Sequence, residues 1–194
     1  MIVLMKIYKA SFVKGIIKGK QKWDPSIRQV AFYGRSNVGK SSTINTLLEN
    51  KSLTKTSSVP GKTSEINLFN VNDNLFFLDL PGYGYAKTSG QKRAALRKLI
   101  LWYIMEVKVH NRTHVMVLDS KVGLTDNDNE FLEFLNRTGE QIIIVFNKID
   151  KLNQKEYLKK ILGIKEELVG QEISLVPFSA KMKKGVNDFW EALN

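Results

Sequence analysis

Apolar residues recur along this chain with two different periods. Short, nearly unbroken apolar runs at 29–33, 114–119, 141–146 and 173–177 read as strands buried on both faces. Two further strands, 65–71 and 74–79, are separated only by Asn72-Asp73, which predicts an antiparallel hairpin. Between these runs the spacing becomes helical. Ile44, Leu47 and Leu48 share one face, and Leu96, Leu99, Ile100 and Tyr103 share another in a long helix over 91–109. Helices are also predicted over 128–136, 155–168 and 186–193. The stretches 51–63 and 81–90 are polar or glycine-rich and read as loops. This order predicts an α/β fold: a single domain over 27–194 with a mostly parallel six-stranded sheet, one antiparallel strand and helices on both faces. Residues 1–26 read as a basic N-terminal extension, partly packed on the domain, with strand character at 7–13.

Composition narrows the class. At 194 residues and 43% hydrophobic, the chain has enough apolar surface for one well-buried domain. It contains no cysteine, which excludes disulfides and cysteine-ligated metals and is compatible with a reducing cytoplasm. The apolar run at the N-terminus is too short for a signal peptide, and no run approaches a membrane span. A cytoplasmic location is expected. The formal net charge is +11. Lys6, Lys9, Lys14, Lys18, Lys20 and Lys22 precede the first acid. Such a surplus suits an acidic polymer such as RNA, or an anionic membrane surface.

The strand over 29–33 runs into Gly34-Arg35-Ser36-Asn37-Val38-Gly39-Lys40-Ser41, which fits the phosphate-loop pattern G-x-x-x-x-G-K-[ST]. Gly34 and Gly39 let backbone N–H groups approach an anion without a Cβ in the way. Lys40 offers a positive charge to the β- and γ-phosphates, and Ser41 a hydroxyl to Mg²⁺. The motif implies a nucleoside triphosphate without naming the base.

Other polar residues fall at strand ends, where parallel sheets bind ligands. The hairpin closes on Asp79-Leu80-Pro81-Gly82. Asp79 can hold a Mg²⁺-bound water, and the Gly82 N–H can reach a γ-phosphate. Of Thr54, Thr56 and Thr63, the last is preferred for completing the Mg²⁺ shell, because it directly precedes the hairpin. The run 141–146 ends in Asn147-Lys148-Ile149-Asp150. The Asp150 carboxylate can accept from the N1–H and N2–H₂ edge of guanine, a donor pair that adenine lacks. Asn147 can reach the N7 side and tie its loop to the phosphate loop, while the Lys148 stem covers the base. Near Phe178-Ser179-Ala180, a backbone N–H can meet guanine O6.

Together these elements resemble the Ras-like GTPase superfamily. Gly34–Ser42, Pro60-Gly61-Lys62-Thr63 and Asp79-Leu80-Pro81-Gly82-Tyr83-Gly84-Tyr85-Ala86-Lys87 resemble the EngB/YihA/YsxC family of bacterial ribosome-assembly GTPases over nearly the whole chain. Three positions depart from the family wording: Asn147 stands where Thr is usual, Lys121 where Arg is usual and Leu124 where Pro is usual. The resemblance implies GTP/GDP as ligand with Mg²⁺, and a nucleotide-binding set of Gly34, Arg35, Ser36, Asn37, Val38, Gly39, Lys40, Ser41, Ser42, Gly61, Lys62, Thr63, Ser64, Glu65, Asp79, Leu80, Pro81, Gly82, Asn147, Lys148, Ile149, Asp150, Phe178, Ser179 and Ala180. Ser41 and Thr63 are the expected Mg²⁺ ligands, with Asp79 acting through water. Lys40 and Thr63 are the expected catalytic groups. Asn37 is a candidate K⁺ ligand, as an Asn at this position is in related GTPases.

Tyr83 occupies the position after Asp-x-x-Gly, where a glutamine would position water. A phenol there predicts slow intrinsic hydrolysis. The resemblance implies a switch in maturation of the large ribosomal subunit, linked to cell division and septation. The expected partner is the large subunit or its precursor, rRNA and ribosomal protein, met by a monomer with no DNA partner. Lys87, Lys92, Arg93, Arg97 and Lys98 are candidate phosphate contacts. The alternative is a nucleotide-gated protein-interaction module in cell division, using Tyr83 and Tyr85, with hydrolysis incidental.

Overall fold

The computed structural model describes residues 5–17, 24–54, 65–83 and 90–194. Seven strands form one sheet: β1 (Ala10–Ile16), β2 (Arg28–Tyr33), β3 (Ile66–Val71), β4 (Leu75–Asp79), β5 (Arg112–Asp119), β6 (Gln141–Asn147) and β7 (Ile173–Pro177). Their order across the sheet is β1-β3-β4-β2-β5-β6-β7. From β4 to β7 all neighbours are parallel. Only β3 runs against its neighbours, pairing antiparallel with both β4 and β1.

The sheet has seven strands where the apolar runs indicated six, because part of the N-terminal segment completes the edge. The strand lies at Ala10–Ile16, three residues beyond the segment with strand character. Its pairing with β3 shifts register between Phe12 and Lys14, so a bulge absorbs one residue. No local pattern encodes that shift. Asn72 is the other anchor: its side-chain oxygen accepts from the N–H groups of Tyr8 and Lys9 at 3.1 and 3.2 Å. Asn72 and Asp73 both have positive φ, 52° and 57°, the left-handed pair that a tight hairpin requires.

Strand alternation divides the core into two. Ala31, Tyr33, Met116, Leu118, Ile142, Ile144 and Phe146 face one layer, with α2 (Gly90–Glu106), α3 (Asp126–Asn136) and α4 (Gln154–Glu167) over it. Val30, Phe32, Val115, Val117, Ile143 and Val145 face the other, covered by α1 (Lys40–Leu47) and α5 (Val186–Leu193). Both faces are dry, which is why these strands read as continuous apolar runs. Arg112 is buried at the start of β5 and donates from Nη1 to the Ile104 carbonyl at 2.8 Å, and from Nη2 to that of Val107. It thus satisfies carbonyls around the end of α2, a helix with no basic residue in its last turn.

Strand β2 lies between β4 on one side and β5 on the other, with β3 reached through α1 and β5 through α2. The reversal of strand order falls at β2, and the phosphate loop springs from its carboxyl end, the usual ligand position of an open parallel sheet.

Candidate nucleotide site

Gly34 follows β2 where the chain must pass close to β5. A Cβ there would lie 2.8 Å from the Val117 carbonyl oxygen and 2.9 Å from Val38 Cγ2. Gly39 has φ 98°, and a Cβ on it would collide with Asn147 Nδ2. Both positions therefore require glycine on steric grounds. Helix α1 begins directly after Gly39 with no side-chain cap and no acid in its first turn. Its first N–H groups are left without intrahelical partners, an arrangement that fits a phosphate. Lys40 Nζ rests against Asp79 Oδ1 at the end of β4. The next residue, Ser41, carries a hydroxyl, and Asp79 carries a carboxylate; both are hard oxygen donors of the kind Mg²⁺ takes alongside substrate phosphates. Thr54 is not available to that shell, because its Oγ1 donates to the Ser41 carbonyl at 2.9 Å and approaches Asn45 Oδ1 at 2.8 Å. Gly61, Lys62, Thr63, Ser64 and Thr56 lie outside the described residues. Glu65 is turned away from the loop, and its carboxylate fills the space over Gly15 of β1.

Leu80 is buried and Pro81 follows it into Gly82. A Cβ on Gly82 would be 2.8 Å from the Gly34 carbonyl oxygen and 3.5 Å from the Ser36 nitrogen, so its backbone lies directly against the phosphate loop. Tyr83 then turns away. Its hydroxyl donates to Asp128 Oδ1 at 2.7 Å, and its ring stacks on Phe131 at 4.5 Å between centroids. The expectation that Tyr83 is available to a protein partner is thereby corrected: its ring and hydroxyl are both engaged by α3. Burial and the adjacent Asp128 carboxylate push its pKa well above the usual phenol value, which keeps the hydroxyl a donor. Arg35 points the same way, with Nε 3.2 Å from Asp128 Oδ2. Thr125 donates to the same carboxylate oxygen from its N–H at 3.0 Å and its hydroxyl at 2.7 Å, forming the capping box of α3. Asp128 escaped the sequence reading, in which it was only the start of a predicted helix. The Thr125-to-Asp128 capping pattern was the available signal.

The far end of the cleft is built on β6 and β7. Asn147, 2% exposed, donates from Nδ2 to the Val38 carbonyl at 3.0 Å and accepts at Oδ1 from the Ala180 N–H at 3.2 Å. One side chain thus joins the phosphate loop, β6 and the loop after β7. Lys148 takes a left-handed conformation, φ 68°, and donates to the Asn37 carbonyl at 2.5 Å and to Asp119 Oδ2 at 2.7 Å. Asp119, the last residue of β5, is a partner that sequence reasoning did not assign. Ile149 and Asp150 form a 3₁₀ turn whose Ile149 N–H donates to the Phe178 carbonyl at 3.2 Å. Asp150 is exposed, and its Oδ1 accepts from Ser179 Oγ at 2.5 Å. The hydroxyl fixes one carboxylate oxygen and leaves the carboxylate open to solvent. Such a group can accept two adjacent N–H donors. The described residues thus bring Lys40, Ser41, Asp79 and Gly82 to one end of the site and Asn147, Lys148, Asp150, Ser179 and Ala180 to the other.

Known proteins resemble this chain over most of its length. A family model described as 50S ribosome-binding GTPase matches residues 29–148. The model for the GTP-binding domain of elongation factor Tu matches residues 110–194. A curated relative from Exiguobacterium sibiricum, described as probable GTP-binding protein EngB, is 39% identical over 97% of this chain and 98% of its own. The relative of the same description from Bacillus subtilis is 36% identical over 97% of each chain. Among solved structures, a probable GTP-binding protein engB shares the fold with a TM-score of 0.64 at 24% identity, covering 84% of this chain and 95% of that one. Era in complex with MgGDPNP and nucleotides of 16S ribosomal RNA gives a TM-score of 0.64 at 25% identity over 87% of this chain and 57% of its own. The phosphate loop on β2, the strand-end residues and the near full-length relatives together place this chain in the EngB family of GTP-binding P-loop GTPases.

Proposed function

We propose that this chain is a slow, Mg²⁺-dependent GTP hydrolase that serves as a nucleotide-controlled switch in assembly of the large ribosomal subunit, in the cytoplasm, with the family's link to cell division and septation. The observation that carries the reading is the family match together with a site whose base-end and phosphate-end groups meet at the carboxyl ends of the parallel strands. Asp150 accepts from the guanine edge, held by Ser179. Asn147 and Lys148 brace the loop, and Ala180 lies beside the base. Lys40 moves from Asp79 to the phosphates, and the α1 amides neutralise their charge. Ser41 and Thr63, with Asp79 acting through water, would hold Mg²⁺, which when bound would supply charge neutralisation for the phosphates. Slow hydrolysis follows from two side chains that face elsewhere: Arg35 pairs with Asp128, and the Tyr83 phenol is spent on the same carboxylate. At saturating GTP, Tyr83→Gln is expected to leave basal turnover within about threefold; a large loss there would make Tyr83 itself catalytic. Asn37 is proposed to hold K⁺ beside the phosphates, which predicts faster hydrolysis in K⁺ than in Na⁺; equal rates remove that role.

For the partner, support comes from the matching family of 50S ribosome-binding GTPases and from charge. Helix α2 exposes Lys92, Arg93, Arg97 and Lys98, and Glu106 is its only acid. These cations suit rRNA phosphates recognised by shape and backbone. Co-sedimentation with purified ribosomal subunits, with a GTP analogue, GDP or no nucleotide, tests the proposal across a salt series. Binding to the large subunit with the GTP analogue, weakening steeply with salt, is expected. Binding confined to the small subunit, or insensitive to salt, overturns it. The alternative of a protein-interaction module in division loses one of its two tyrosines to the contact with α3; Tyr85 lies outside the described residues.

A further inference from the structure

Asp128 joins three parts of the molecule through one buried carboxylate. It is fully buried and lies on α3, 45 residues along the chain from Tyr83. One oxygen receives the Tyr83 hydroxyl. The other receives both donors of Thr125 and lies beside Arg35 Nε. Arg35 belongs to the phosphate loop, and Tyr83 directly follows the glycine whose backbone touches that loop. Fixing Tyr83 therefore fixes the neighbouring Gly82 peptide against Gly34 and Ser36. The Tyr83 ring adds a second hold by stacking on Phe131.

We infer that Tyr83, Asp128 and Arg35 form a latch that holds the Gly82 peptide ready for the third phosphate, so that Tyr83 and Asp128 are positioning residues for discrimination between GTP and GDP. A flexible Gly-containing segment would lose conformational entropy on meeting the γ-phosphate, and holding it in place beforehand removes part of that loss. GDP has no γ-phosphate to benefit, so the latch acts on one nucleotide and not the other. The inference rests on the chain being a GTP-binding protein and is independent of the ribosomal partner.

The test measures equilibrium affinity for GDP and for a non-hydrolysable GTP analogue in wild type, Tyr83→Phe, Asp128→Asn and the double variant. Tyr83→Phe keeps the ring stack and removes only the hydroxyl. Affinity for the GTP analogue should fall about fivefold or more in each single variant, while GDP affinity stays within twofold. The double variant should be no worse than Asp128→Asn alone, because both changes break one link. A parallel loss for both nucleotides would show a merely structural role, and unchanged ratios would show no latch; either overturns the inference. Absence of guanine-nucleotide binding in the wild type would instead sink the GTP reading itself. Should Asp128→Asn fail to fold through loss of its helix cap, Tyr83→Phe alone carries the same ratio test.

Discussion

At the base end of the cleft, Asn147 joins Val38 to Ala180, Lys148 joins Asn37 to Asp119, and Ser179 holds Asp150. At the phosphate end, Lys40 leans on Asp79, and Arg35 and Tyr83 share Asp128. The first set links the ends of parallel strands, and its central residue is almost fully buried. Nothing in it has to move when the number of phosphates changes. In the second set, the ammonium of Lys40 is held by a carboxylate that a phosphate can replace, and the Gly82 peptide lies against the phosphate loop with its neighbour Tyr83 held by Asp128. In the proposed function, identity of the base is thus assigned to a braced structure, and state of the nucleotide to contacts that can exchange. This division suits a switch, whose specificity must be constant while its conformation is not.

Breaking the base end should have the largest effect. Asp150→Asn replaces an acceptor-only group by one that also donates. GTP and GDP affinity should both fall about a hundredfold, on the order of 3 kcal/mol for two charge-assisted hydrogen bonds. Xanthine nucleotides, which carry a second carbonyl on that edge, should gain relative to guanine. Competition binding checks both, and unaltered base preference would remove Asp150 from the base contact. Asn147→Ala comes next. It removes two bonds between buried segments, about 2 kcal/mol, and should weaken both nucleotides and lower the unfolding midpoint together. Loss of stability without loss of affinity would confine Asn147 to the scaffold. The GTP-selective loss expected of Tyr83→Phe is smaller again and sharpens the contrast, because it must spare GDP.

The smallest effect concerns pH and lies away from the site. His114 is buried on β5, with Nδ1 3.0 Å from the Tyr33 hydroxyl and Nε2 2.6 Å from Glu140. Burial lowers its pKa below the ordinary value of 6.5, although Glu140 pulls the other way. The unfolded chain therefore takes up this proton first as pH falls. Its contribution to stability is level above about 6.5 and declines below that, down to the folded-state pKa. Denaturant unfolding at pH 7.5 and 5.5 should show the decline, and His114→Gln should make it shallower. Identical pH dependence in the variant would assign the decline to other groups.

Much of this molecule was legible because it is local. Five helices, the hairpin turn at Asn72-Asp73 and the phosphate loop each follow from spacing within a few residues. The core strands announced themselves by continuous apolar runs, since both sheet faces are covered. The edge strand β1 was displaced along the chain because a bulged register with β3 is set by the partner, not by its own sequence. The direction of Arg35, the tie between Lys148 and Asp119 and the hold of Asp128 on Tyr83 arose only when strand ends and α3 converged. Spacing along the chain therefore decided which chemistry this protein carries, because backbone conformation and side-chain period are local properties. Which groups restrain one another was decided by the packed sheet, because hydrogen bonds between residues 29 to 111 positions apart depend on where the strands end in space.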